Sequence, residues 1–221
     1  MSAAGSHFSA AYRFGSEIGR GKGKGHPRVL IVLDALDRAL LDQVRPVVGE
    51  GRREGIRVRL DTADNLVRGA DAFPAFSLEL IRHRTLLAGD DVLAELTVQT
   101  ADLRLHVEHG LRGIFRDLVA AYVADKIHGD SLLDIRRTTR RLLFLLEGAL
   151  LARGAEVTDD PTPEEIIAKT REKLRDDPDA PWATFERFLN GDLKLDTSGM
   201  RELYGALLAI LERVIDYVDR L

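Results

Sequence analysis

The chain of 221 residues carries 32 Lys and Arg against 36 Asp and Glu, a net charge near −4. That balance supplies no global basic field and argues against nucleic acid as a partner. The absence of cysteine excludes disulfides, thiolate metal sites and cysteine nucleophiles.

The opening segment MSAAGSHFSAAYRF has no apolar stretch behind basic residues, so no signal peptide is expected. The longest apolar run, Leu118–Ala124, is far too short to span a membrane, and the expected location is the cytoplasm. From His7 to Phe14 the chain reads as a strand, broken by Gly15-Ser16. Gly19 to Gly25 alternates glycine with Arg20, Lys22 and Lys24, the composition of an exposed loop. Val29 to Leu33 is a continuous run rich in β-branched residues, as in a strand buried on both faces. Asp37 to Val48 reads as a helix that Pro46 ends or kinks. Ile56 to Leu60 alternates apolar and basic residues, the pattern of a half-buried strand. One or two helical turns follow from Thr62 to Arg68, and Phe73 to Ile81 reads as another strand, before a turn at Ala88–Asp91.

Beyond Thr100 the period changes. Leu103, Val107, Leu111, Ile114, Leu118 and Tyr122 recur at helical spacing over about 25 residues. Asp130-Ser131 is a cap for the next helix, whose second half, LLFLLEGALL, is apolar nearly all round. Pro163 opens a further helix with Glu164 and Glu165 at its positive end. Trp182–Leu189 and Ser198–Leu221 supply two more. The expected fold class is therefore α+β: a small mixed sheet flanked by helices over residues 1–98, then an all-α bundle of four or five helices over 99–221.

Several segments together resemble a known family. YRFGSEIGRG resembles the strand–Gly-Ser–x–x–x–Gly element of the nucleotidyltransferase fold, and DAFPAFSLELIRHRTLLAGDDVL is similar to a segment of a bacterial branch of it. TADLRLHVEHGLRG and YGALLAILERVIDYVDRL look like that branch's long and last helices. The resemblance implies a small mixed sheet carrying the active site beside a helical bundle. It also implies Mg²⁺ held by an Asp-x-Asp pair on the strand after the Gly-Ser turn, with a third carboxylate from a neighbouring strand. Two such metals would polarise an α-phosphate and stabilise leaving pyrophosphate, and Mg²⁺ prefers carboxylate oxygens.

The chain departs from that pattern where the chemistry is needed. His26-Pro27-Arg28 stands at the Asp-x-Asp position. Histidine is a poor Mg²⁺ ligand and arginine repels a cation. Where relatives carry a Glu two residues after the Phe-Pro proline, this chain has Phe76, with Glu79 three further on. The resemblance with these departures implies a nucleotidyltransferase-like protein that is catalytically inactive and acts as a nucleotide- or phosphate-binding or regulatory module. Gly15, Ser16, Arg20, Lys22 and Lys24 are then the phosphate-binding residues, and no metal ligand and no cofactor is expected. A nucleotide, and a second copy of the chain through the helical bundle, are the expected partners. One alternative is an active enzyme moving a nucleoside monophosphate from an NTP to a small molecule or protein, with Mg²⁺ on a rearranged carboxylate set built from Asp34 and Asp61. Another is an antitoxin-like or structural interaction protein.

Four further features have plainer readings. His83 between Arg82 and Arg84 reads as a solvated polar face. Arg104 and His109 lie five apart on a helix and so do not share a line. Arg136, Arg137, Arg140 and Arg141 cover one helix face and read as salt-bridge partners of acidic neighbours. Trp182 and Phe185 read as anchors of a short helix to the core.

Overall fold

The structure is a computed structural model and describes residues 7–15, 27–124, 132–158, 161–175 and 179–220. The chain forms two compact units, Met1–Asp102 and Leu103–Leu221, so the division falls a few residues past the expected 98/99 boundary. The first unit is a four-stranded mixed sheet with flanking helices, and the second is all-helical, as the α+β expectation holds. No helix of the described residues is long and apolar enough to cross a membrane.

The sheet contains β1 (Phe8–Phe14), β2 (Arg28–Leu33), β3 (Arg57–Thr62) and β4 (Arg84–Gly89), in the order β3-β2-β1-β4. β1 runs antiparallel to both β2 and β4, while β2 and β3 are parallel. A parallel pair requires a crossover, and α1 (Arg38–Arg53) supplies it. β2 is buried on both sides because each face has its own core. Leu30 and Val32 pack with Ala10, Tyr12 and Phe14 of β1 under α2 (Ala63–Arg68) and α3 (Pro74–His83). On the opposite face Leu33 packs with Leu40 and Val44 of α1.

Two expectations are corrected here. α1, expected over Asp37–Val48 and ended or kinked at Pro46, does not end there but continues to Arg53. Pro46 lies on the exposed side of the helix, so water can take the carbonyl that lacks an N–H partner. The segment read as a strand, Phe73–Ile81, is instead α3. Proline at its first position suits a helix start, and Pro74, Ser77 and Leu80 are buried at a spacing of three.

In the second unit α4 (Thr100–Val123), α5 (Leu132–Ala152), α6 (Pro163–Leu174), α7 (Asp179–Asn190) and α8 (Thr197–Asp219) provide five helices. The expected cap Asp130-Ser131 lies outside the described residues. Thr162 caps α6 by accepting from the Glu165 N–H, and Asp196 caps α8 by accepting from Gly199 N–H. The apolar run of α5 is buried from Leu142 to Leu150 except at Phe144, which is half-buried. Leu203, Leu207, Ile210, Leu211, Val214 and Val218 form the buried stripe of α8. Trp182 and Phe185 of α7 are fully buried, with ring centroids 6.4 Å apart. The basic group on α5 is partly paired on its own helix, with Arg137 3.7 Å from Asp134. Arg104 of α4 donates to the Asp219 carbonyl at 3.4 Å.

Candidate functional site

β1 ends and β2 begins at the same edge of the sheet. In register across that edge stand Arg84, Phe14, Arg28 and Arg57, one residue from each strand. A row of three guanidinium groups around one ring would repel unless carboxylates or ring faces intervened. α3 supplies both. Being helical, it places Phe76 and Glu79, three residues apart, on one side.

Glu79 takes Arg28 in a two-pronged ion pair. Arg28 Nη1 donates to Glu79 Oε2 at 3.2 Å, and Nη2 donates to Glu79 Oε1. The pair is largely enclosed, with the carboxylate side chain 11% exposed and the guanidinium side chain 26%. Arg28 also lies over the Phe14 ring at 4.8 Å. Its Nε is buried and finds no partner. Phe76 meets Phe14 edge to face at 5.7 Å and carries Arg59 over its own ring at 3.9 Å. Arg59 in turn reaches Asp61 at 3.4 Å. The cluster therefore interleaves two guanidinium groups, two rings and two carboxylates between β1–β3 and α3.

Gly15 belongs to this cluster through its missing side chain. Its φ is +115°, and a Cβ there would stand 1.9 Å from Arg28 Nη2. Its N–H donates to the His83 carbonyl at 3.1 Å, so that donor is engaged at the end of α3 and is not presented to a phosphate. Ser16, Arg20, Lys22, Lys24 and His26 lie outside the described residues.

Asp34 and Asp61, the two carboxylates of the rearranged set, are committed to different partners. Asp34 accepts from the Ser9 hydroxyl, and its N–H donates to the His7 carbonyl. Asp61 is 4% exposed and accepts from the Thr62 N–H at 3.0 Å and from Asn65 Nδ2 at 2.6 Å. Asn65 is the third residue of α2, and its N–H donates to the hydroxyl of Thr62, the N-cap. Asp61 thus fastens β3 to α2. Among the described residues no three His, Asp or Glu side chains converge as a metal-binding group.

A second cluster closes the far side of β1. The Tyr12 hydroxyl donates to Asp91 Oδ1 at 2.9 Å, and Arg84 donates to Asp91 Oδ2 and to the Leu93 carbonyl, both at 3.1 Å. Burial, reinforced by the Asp91 hydrogen bond and charge, raises the Tyr12 pKa to about 12. Burial works against the Asp91 charge, but hydrogen bonds from Arg84 and Tyr12 outweigh it and hold that carboxyl below its ordinary range. The signs are opposite. Tyr12 contributes fully below its unfolded pKa of 10, and the contribution is lost as pH rises through about 12. Asp91 contributes above the ordinary carboxylate range and loses its contribution as pH falls through its depressed value. Tyr12→Phe should be about 1 kcal/mol less stable than the native chain at neutral pH. The gap should close as pH rises from 10 to 12, in urea denaturation series. A gap independent of pH would refute this account of the cluster.

The Arg28–Glu79 pair makes a prediction of its own. Glu79→Leu leaves a mostly enclosed guanidinium without its carboxylate, and should cost about 2 kcal/mol in urea denaturation, less than a fully buried pair because Arg28 keeps some solvent. Adding Arg28→Leu should recover most of that loss, since an apolar pair of similar volume replaces the ion pair. Additive losses in the double variant would contradict the pairing.

Sequence reasoning singled out Arg28 and Glu79 as departures from a pattern but did not join them, and it passed over Phe14, Arg59 and Asn65. The available signal was the basic alternation Arg57-Val58-Arg59 together with an aromatic and an acid three residues apart. No protein-family model and no curated protein matches the chain, so the chemistry of this cluster is read from its own geometry.

Proposed function

We propose that the N-terminal unit is a nucleotidyltransferase-like module that does not transfer nucleotides and acts instead by binding a nucleotide or phosphate in a regulatory role. The observation that carries this reading is the Arg28–Glu79 ion pair. Arg28 occupies the place where the resemblance implies a metal-binding aspartate, and the nearest acid on α3 is already neutralised by it. The residues present do not fit a pair of Mg²⁺ ions. A guanidinium at that distance repels a cation, and freeing Glu79 would leave Arg28 enclosed and unpaired. Within the cluster Arg28 and Arg59 are balanced by Glu79 and Asp61, and the positive charge offered beyond those pairs is that of Arg57. Arg57 and Arg59 are exposed, and Arg28 stands beside the Gly15 turn at the start of the basic glycine loop. Guanidinium groups held over rings are pre-organised donors for phosphate oxygens.

Two measurements test the proposal. Calorimetry with ATP should give the same affinity in Mg²⁺ and in EDTA, because the bound charge is met by arginine and not by metal. Incubation with labelled nucleoside triphosphates, Mg²⁺ and cell extract should label no acceptor above background. A transfer signal that disappears in Asp34→Ala or Asp61→Ala would overturn the proposal and establish the rearranged carboxylate set as catalytic.

A further inference from the structure

The helical unit contains a cavity of about 870 Å³ at the point where three helices end. Arg153 and Gly154 follow the last turn of α5, Lys173 and Arg175 close α6, and Arg213, Tyr217 and Arg220 belong to the last turns of α8. Cations at helix C-termini are ordinary, because they meet the negative end of the dipole. The lining holds Arg153, Lys173, Arg175, Arg213 and Arg220 together with Glu172 and Asp216, and Arg213 is engaged by a partner of its own.

The positions of the side chains show which cations remain available. Lys173 meets its neighbour Glu172 at 3.4 Å, and Arg220 meets Asp216 at 2.9 Å. Arg153 and Arg175 have no carboxylate partner among the described residues. Arg153 is nevertheless held in place. It lies over the Tyr217 ring at 4.7 Å, and its Nη2 donates to the Arg220 carbonyl at 3.4 Å. Burial raises the Tyr217 pKa against the opposing pull of Arg153 and Lys173, so the hydroxyl keeps its proton and remains a donor.

Arg175 adds an independent observation. It has φ +44° and ψ 140°, and among the described residues it is the one non-glycine residue with positive φ. That backbone favours glycine, and an arginine held there costs stability. Strain of this kind clusters at active sites and ligand clamps. The backbone turn brings Arg175 to the rim of the cavity together with Lys173.

We propose that this cavity is a binding site for a small polyphosphorylated ligand, with Arg153 and Arg175 as its principal phosphate-binding residues. The volume lies in the range of small-molecule sites, which runs from about 300 to 1,000 Å³. Its cations come from the ends of three helices and line one cavity, which suits a compact polyanion. The site is separate from the basic residues of the N-terminal unit and does not rest on the function proposed for that unit.

Calorimetry on the full chain, in low salt and without Mg²⁺, tests this with inorganic tripolyphosphate and with ATP. In a background of Ser16→Ala, Lys22→Ala, Lys24→Ala and Arg57→Gln, which removes groups proposed to bind phosphate on the N-terminal unit, both should bind with one-to-one stoichiometry at this cavity. Equal affinities would support a site that reads phosphate alone, and tighter ATP binding would support one that also reads the nucleoside. Arg153→Gln with Arg175→Gln should weaken tripolyphosphate about tenfold or more, as expected when hydrogen bonds to a charged group are lost. Arg175→Gly removes the side chain while relieving the backbone, so it should keep or raise Tm and still weaken binding. Three results would overturn the proposal: no tripolyphosphate binding up to millimolar concentration, binding that survives the Arg153/Arg175 substitutions, or a well-folded Arg175→Gly chain that binds as tightly as the native one.

Discussion

Replacing Trp182 by alanine should destabilise the helical unit by about 3–5 kcal/mol, the largest single-residue effect expected in this protein. The side chain is fully buried and packs against Phe185 where α7 meets α8. Truncation removes the transfer free energy of the indole and leaves a cavity that neighbouring helices can fill only in part. A second variant separates packing from polarity. The indole Nε1 is buried and has no hydrogen-bond partner, which itself costs about 1–3 kcal/mol. Trp182→Phe deletes that unsatisfied donor and keeps most of the apolar volume. It should cost under about 1.5 kcal/mol, as for volume-conserving swaps. Circular dichroism in urea distinguishes the two, since Trp182 is the single tryptophan and its fluorescence is lost in both variants. Equal losses for alanine and phenylalanine would show that the indole N–H is satisfied after all, and a near-neutral alanine variant would show that α7 does not depend on this anchor.

The second large effect is at Gly89, the last residue of β4. Its φ is +83°, and a Cβ built there would lie 2.1 Å from the Ser9 carbonyl oxygen and 2.8 Å from Ala10 Cα. Both obstacles are backbone atoms of β1, so they cannot rotate away as a flexible side chain can. Gly89→Ala should therefore cost about 3 kcal/mol, combining positive-φ strain with displacement of the strand pair. The damage should extend beyond the residue itself. Gly89 lies opposite Ala10 beside an irregularity in the β1–β4 register, and the next N–H, of Asp90, donates to the Ser9 carbonyl at 3.3 Å. Moving that turn moves Asp91, and with it the partner shared by Tyr12 and Arg84. Amide exchange should accelerate at Ala10–Tyr12 in Gly89→Ala, together with the lowered urea midpoint. Native-like stability would mean that β4 pairs in another register.

The two helical and strand registers illustrate what local pattern can and cannot decide. Gly89 was read as part of a turn, and the structure makes it the end of a strand, because pairing with β1 extends order into a sequence that has turn composition. Phe73–Ile81 reads from the sequence as a strand, in keeping with the Phe-Pro segment of the family it resembles, and the structure makes it α3. Pro74 at a first helical position was equally visible, but nine residues hold too few periods for alternation and helical spacing to be told apart. The long segments gave no such trouble. α4, α5 and α8 each run for more than twenty residues, long enough for the helical period to be unambiguous.

Composition and periodicity by themselves determined the α+β class, the change from a sheet to helices near residue 100 and the double burial of β2. Each of these depends on residue type or on spacing within one element, and so survives without knowledge of neighbours. Only the tertiary structure decided what Arg28 does physically. Arg28 and Glu79 are 51 residues apart, and nothing local relates them. They meet because α3 is a helix, because it lies over the face of β2 that carries Arg28, and because Gly15 has no side chain to block the guanidinium. The same holds for the cavity at the ends of α5, α6 and α8, whose arginines come from three separate stretches of chain. Charge at a position is written in the sequence, but the partner that neutralises it, or the absence of one, is a property of packing.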